Sequence, residues 1–179
     1  MLTFRANGTS SVTCVSPQGS LQVFPAEAPK KALPENTYCL LSTPEKTSAK
    51  STISWPGEYD FSGLAIKGLG TESQVSYILT TEGLRCGFLS APLGDWGEPE
   101  LEKLGDLDIL VIAAEDAKKV QHIVEEVDPP VVIPLRGKDE KTYQEVLRLC
   151  GAKDSEPVKE VKLKKSGLPT DARVVYVLE

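Results

Sequence analysis

Histidine is almost missing: His122 is the one imidazole in 179 residues. That excludes any site built on two histidines, and with it most catalytic zinc centres and paired-imidazole chemistry. The 4 cysteines (Cys14, Cys39, Cys86 and Cys150) are far apart and form no Cys-x-x-Cys pair. Three sit inside or beside apolar strand-like runs, where a thiol behaves as a small hydrophobe. This argues against a disulfide framework or a zinc knuckle. No long hydrophobic run occurs; the longest, Ile109 to Ala114, falls far short of the roughly 20 residues that span a bilayer. Met1 to Gly8 lacks a charged segment followed by an apolar one, so no secretory leader and no membrane partner are expected, and the cytoplasm is the expected compartment. Bases are outnumbered, 20 against 26 acids, for a net charge of −6, which argues against a nucleic-acid partner.

At roughly 150 residues per domain, the length corresponds to one domain over 1–179. Hydrophobic residues at 40% and charged residues at 26% form an ordinary globular mixture, able to bury a core without metals as props. The first two-thirds reads as strands. Ser11 to Ser16 and Leu21 to Phe24 flank the turn signal Pro17-Gln18-Gly19, and Pro25 to Glu35 reads as a loop. Tyr38 to Leu41, Thr52 to Trp55, Leu64 to Lys67, Val75 to Leu79 and Leu84 to Leu89 are further strand candidates.

The pattern then changes. Asp108 to Ala113 is a continuous apolar run, as in a strand covered on both faces. Ala117, Val120, Ile123, Val124 and Val127 follow at helical spacing, with Asp116 as N-cap and Asp128-Pro129-Pro130 as stop. Val131 to Pro134 is the next strand, so 108–134 predicts a strand–helix–strand crossover. A second helix carries Tyr143, Val146, Leu147 and Cys150 on one face, with Gly151 past its end. Strands near Val158 to Leu163 and Arg173 to Leu178 follow. Strands first and strand–helix alternation later imply layered α/β sheets with helices outside.

Three stretches read together resemble one family. Trp55-Pro56-Gly57-Glu58-Tyr59-Asp60-Phe61-Ser62-Gly63-Leu64-Ala65-Ile66-Lys67-Gly68 resembles a "PGEY…G..I.G" segment of the metallo-β-lactamase-fold superfamily, in the branch of sugar-phosphate lactonases and related metal-dependent hydrolases. Leu84 to Ser90 matches a strand that in the family ends at a bridging aspartate. Leu104 to Ile112 with Val131 to Leu135 resembles the "LGDVDVLLIP…IVIP" tail, and Gly8-Thr9-Ser10-Ser11-Val12 resembles an opening Gly-His-Ser turn. The resemblance implies an αββα sandwich: two mixed β-sheets face to face, helices outside.

The family's metal chemistry does not carry over. Its ligands come from a His-x-His-x-Asp-His loop, a later histidine, the bridging aspartate and a last histidine. By the resemblance, Thr43, Glu45, Thr47 and Ser48 stand at the four loop positions, Ala91 near the bridging aspartate and Arg136 at the last histidine. A catalytic zinc needs about three N, O or S ligands with a position left open. Glu45 is the one good donor of that set, and Arg136 brings a permanent cation. Without a metal nothing lowers the pKa of a water toward neutrality. The expectation is a degenerate, pseudoenzyme-like member with no cofactor, no catalytic residue and no metal.

His122 lies opposite the apolar stripe of its helix and reads as an exposed side chain near carboxylates. Lys46 and Lys50 beside Ser42, Thr43, Thr47 and Ser48 lack a supporting base or nucleophile elbow. Glu45 and Arg136 are expected to pair across the sandwich edge in place of the metal. Glu58 and Asp60 read as alternation on one strand face, and Trp55 and Trp96 as core packing. Lys159, Lys162, Lys164 and Lys165 suit a solvated edge strand. The function expected is a binding or interaction module, self-associating or holding a small polar or anionic ligand. The alternatives are a metal-independent hydrolase around Glu45, Thr47, Ser48 and Arg136, or a metal-dependent hydrolase if the ligand positions lie elsewhere.

Overall fold

The computed structural model describes residues 1–46, 49–70 and 73–179. In chain order the strands β1 (Leu2–Ala6), β2 (Val12–Ser16), β3 (Gly19–Val23), β4 (Thr37–Leu40) and β5 (Thr52–Ile53) come first. They are followed by β6 (Gly57–Phe61), β7 (Leu64–Gly70), β8 (Val75–Thr81) and β9 (Leu84–Leu89). The alternating part contains α1 (Glu98–Leu104), β10 (Ile109–Ala114), α2 (Ala117–Val127), β11 (Val131–Arg136), α3 (Glu140–Leu149), β12 (Val161–Leu163) and β13 (Val174–Val175). Two mixed sheets result, one ordered β12-β1-β2-β3-β4-β5 and the other β13-β11-β10-β9-β8-β7-β6.

Side-chain parity explains the layers. Leu2, Phe4, Val12, Cys14, Leu21, Val23 and Leu40 point from the first sheet onto Leu64, Ile66, Tyr77, Leu79, Phe88, Val111 and Ile133 of the second. The opposite face of the second sheet carries Ile78, Leu110, Ile112 and Val132, which pack on Val120, Ile123 and Val124 of α2 and Tyr143, Val146 and Leu147 of α3. β10 is therefore sandwiched, and all its residues are buried, as a continuous apolar run predicts. The α-helices pack on that second sheet; among the described residues the inter-sheet core contains none from a helix. No described helix is long and apolar enough to cross a membrane.

Local signals set the element ends. The Asp116 carboxylate accepts the backbone N–H groups of Lys118 and Lys119, capping α2. Asp128 ends that helix in the left-handed region, φ 45°. Ser62 and Gly63, φ 52° and 97°, make the two-residue turn that closes the β6–β7 hairpin with the right-handed twist of its strands. Gly68 is required by a close approach: a Cβ there would lie 2.7 Å from the Trp55 carbonyl oxygen. That contact seats the Trp55-Pro56 backbone against β7 and launches β6 along it.

Three expectations need correction. The first strand is β1, ahead of Ser11, and it lies inside its sheet between β12 and β2. Its alternation spans five residues only, too short a window to separate from a coil by pattern alone. The C-terminal strands are shorter than expected, since Val158 joins Leu178 through an isolated bridge. Trp55 is not core: it is 42% exposed.

Candidate functional site

The parallel strands β9, β10 and β11 run side by side, with Ile112 opposite Leu89 and Ala114 opposite Arg136, so their C-terminal ends share one rim. The loop after β4 reaches this rim from the other sheet. Two contacts sew the sheets together at its root. The Val75 N–H donates to the Ser42 carbonyl at 2.8 Å. The buried Tyr77 hydroxyl lies 2.6 Å from the Leu41 carbonyl oxygen and 3.1 Å from that of Ile53. Burial holds the Tyr77 phenol far above its ordinary pKa, so it stays a neutral donor.

Glu45 sits on the loop after β4 with its backbone occupied. Its N–H donates to the Ser54 hydroxyl and its carbonyl accepts the Trp55 indole N–H at 3.0 Å. Its carboxylate adds to the burial that pushes the Cys39 thiol up to about 12. Cys39 pairs in register with Gln22 and therefore faces away from the inter-sheet core, on the outer side of its sheet. Thr43 is exposed. Thr47 and Ser48 lie outside the described residues.

Ala91 follows the buried Ser90 at the end of β9 and offers no donor atom. Arg136, the last residue of β11, is exposed; its guanidinium lies 3.5 Å from a Glu140 carboxylate oxygen and 4.9 Å from the centroid of the Tyr143 ring. Its carbonyl accepts the Ser10 N–H at 2.8 Å, fastening the Gly8–Ser10 turn to the same rim. The expected Glu45–Arg136 pair does not form. Glu140, four residues on at the start of α3, needs no second loop to be ordered, so the local pair wins.

The described residues of this set, Thr43, Glu45, Ala91 and Arg136, do not fit a metal. Ala91 has no ligand atom, Arg136 is a donor-only cation, and Glu45 is one carboxylate with a cysteine beside it. Among the described residues no group of three histidine, cysteine, aspartate or glutamate side chains is placed to hold an ion.

A pocket of about 220 Å³ opens beside Ala91 on the helix side of the second sheet. Leu69 and Trp96 supply apolar wall, and Gln74, Ser76 and Ser90 supply polar floor. The floor is internally bonded: the Gln74 amide donates to Ser90 Oγ at 3.0 Å, and Ser76 Oγ accepts the Ser90 N–H at 3.1 Å. Asp95, Glu100 and Lys103 add two carboxylates and one cation to its lining. Sequence reading missed this floor, because a serine ending an apolar strand looks like any strand end. His122 is exposed, as expected, and its Nε2 lies 3.2 Å from the Trp96 carbonyl oxygen.

No protein-family model matches the chain, and no curated protein matches it in sequence. In structure, 99% of the chain matches 99% of a Thermotoga maritima protein of the metallo-β-lactamase superfamily, described as a zinc-dependent hydrolase, with a TM-score of 0.75 and 17% identity. The chain has the metallo-β-lactamase fold. A Parabacteroides distasonis protein described as a metal-dependent hydrolase matches 99% of the chain over 94% of its own length, with a TM-score of 0.63 and 16% identity. Igni18, a metallo hydrolase from Ignicoccus hospitalis, matches 91% of the chain over 99% of its own length, with a TM-score of 0.62 and 12% identity. At these identities the likeness establishes the metallo-β-lactamase fold, and the chemistry has to be argued from the rim itself.

Proposed function

We propose that residues 1–179 form one metallo-β-lactamase-like domain that binds rather than hydrolyses: a cytoplasmic, metal-free, non-catalytic module. The observation that carries this reading is the engagement of Arg136. At the position the resemblance gives to the last histidine stands a cation, held by Glu140 and lying over Tyr143. A dication next to it would be repelled, and the donors left nearby are too few to offset that.

The binding half of the reading rests on the pocket over Ser76 and Ser90. Its volume is below the roughly 300–1,000 Å³ of most ligand pockets and admits only a very small molecule, while its apolar walls with a few convergent polar groups are the usual composition of a ligand site. A small polar ligand fits; an anionic one would meet Lys103 but also the carboxylates of Asp95 and Glu100. Self-association is compatible with this role. A metal-independent hydrolase around Glu45, Thr47, Ser48 and Arg136 is the weaker reading, since it needs Glu45 and Arg136 to converge.

Elemental analysis of the purified protein, repeated after soaking in zinc and manganese and desalting, tests the proposal. Metal far below one ion per chain in both samples is the expected result. One tightly held ion per chain would overturn it and put hydrolysis first.

A further inference from the structure

Four strand edges bound the two sheets, and three are stubs: β12 has 3 residues, β5 has 2 and β13 has 2. The fourth edge, β6, has 5 residues and carries no proline and no lysine, two of the devices that commonly blunt an edge. We propose that β6 is a docking edge for an extended, basic segment of another protein, added as an antiparallel strand. This goes beyond the metal-free binding reading and stands whichever way the metal analysis falls.

Register identifies the free backbone groups. The turn Ser62-Gly63 closes on the pair Phe61–Leu64, after which Tyr59 faces Ile66 and Gly57 faces Gly68. In a two-residue hairpin these are the pairs that exchange hydrogen bonds. The alternate residues, Glu58 and Asp60, therefore aim their N–H and C=O groups at the open edge. No turn, loop or cap bond among the described residues uses them.

The side chains choose the partner. Tyr59 and Phe61 turn inward onto the inter-sheet core, so Glu58 and Asp60 stand together on the outer face, both exposed. Lys67 lies 3.7 Å from Glu58, whereas Asp60 faces Ala65 and has no ion pair among the described residues. Residues of an added strand directly opposite Glu58 and Asp60 would lie about 5 Å away on that face, where lysine or arginine is favoured. The residue between them falls on the inner side beside Tyr59, which favours an aliphatic side chain. Trp55 stands two residues ahead of β6, exposed but pinned through its indole N–H to Glu45, a rigid aromatic beside the edge.

A second copy of this chain fits badly. A two-fold pairing of β6 with itself must bring Glu58 opposite Asp60, Glu58 opposite Glu58, or Asp60 opposite Asp60. Every register that uses the free groups sets acid against acid, which is destabilising.

The test is fluorescence anisotropy on the full chain with a labelled Lys-Val-Arg-Val-Lys-Val peptide. It is run beside the same peptide with glutamate at each basic position, and beside one N-methylated on alternate residues in each of the two phases. The basic peptide is expected to bind, more weakly as salt rises, and about tenfold more tightly than the acidic one. One N-methylated phase is expected to lose binding while the other retains it, because one face of a strand alone meets the edge. Glu58→Lys/Asp60→Lys, with an unchanged melting temperature, is expected to reverse the charge preference. No binding, equal binding of both charge types, or equal binding of both N-methylated phases would overturn the proposal. So would a dimer in sedimentation that the double lysine variant alters.

Discussion

Tyr77→Phe removes one oxygen atom from the seam between the sheets and leaves every carbon in place. The Leu41 carbonyl then loses its hydrogen-bond donor, whereas the Ile53 carbonyl keeps the Leu41 N–H at 2.9 Å. One buried acceptor left unpaired costs about 1–3 kcal/mol, so about 2 kcal/mol is the expected loss. For a chain of this length that lowers Tm by roughly 4–8 °C. Tyr143→Phe is the matched control, since the Tyr143 hydroxyl is also buried but makes no bond of good hydrogen-bond geometry, with the exposed Arg136 guanidinium as its charged neighbour. Its removal should cost nothing or stabilise slightly. Urea unfolding followed by the fluorescence of Trp55 and Trp96 reports both, with the slope m unchanged. Equal midpoints for the two variants would refute the idea that Tyr77 joins the sheets.

Two further outcomes follow from ionisation. Burial pushes Cys14 and Cys39 up to about 12 and Cys86 well above its ordinary value, so these thiols should stay silent toward a disulfide reagent at neutral pH. The half-buried Cys150, also raised by burial, should react first and slowly, and all 4 should react in urea. Fast native labelling of Cys14 or Cys86 would contradict the packing. Hydrogen bonds from Thr142, Arg148, Lys119 and Lys162 hold Asp139, Glu145, Asp95 and Glu160 below their ordinary values of 3.8 and 4.5. A pKa lowered by folding stabilises above the unfolded value and is lost as pH falls through the folded one. The urea midpoint should therefore hold from neutrality to about pH 5 and fall below it, less steeply in high salt. A midpoint that rises on acidification would reverse the sign of the argument.

The layers of the fold were legible wherever two signals agreed. Residues 108–134 combine an apolar run, a helical stripe and Asp116 as cap, and each finds its counterpart in β10, α2 and the capped N–H groups. β1 was not legible, since Leu2 and Phe4 acquire their meaning from pairing with Leu163 and Val161 far along the chain. The rim was half legible. Which residue types stood near the strand ends could be read, but not where they point: Glu45 and Arg136 share a rim by the family resemblance, while Glu140, four residues on at the start of α3, captures the arginine. That capture was itself written as Arg136 and Glu140 four apart. The pocket floor was invisible because Gln74, Ser76 and Ser90 meet only through the pairing of β8 with β9 and the turn that follows.

The pairing of β1 with β12 gives the first sheet a schedule. β1 to β5 are contributed by residues 2–53, yet the outer partner of β1 arrives with residues 161–163. During synthesis at about 5–20 residues per second, the edge carrying Leu2 and Phe4 waits many seconds for its cover while the second sheet and its helices emerge. The next-to-last strand made is thus the lid of the first-made one. A ribosome stalled before residue 161 would hold out a chain whose first sheet is still unfinished at that edge.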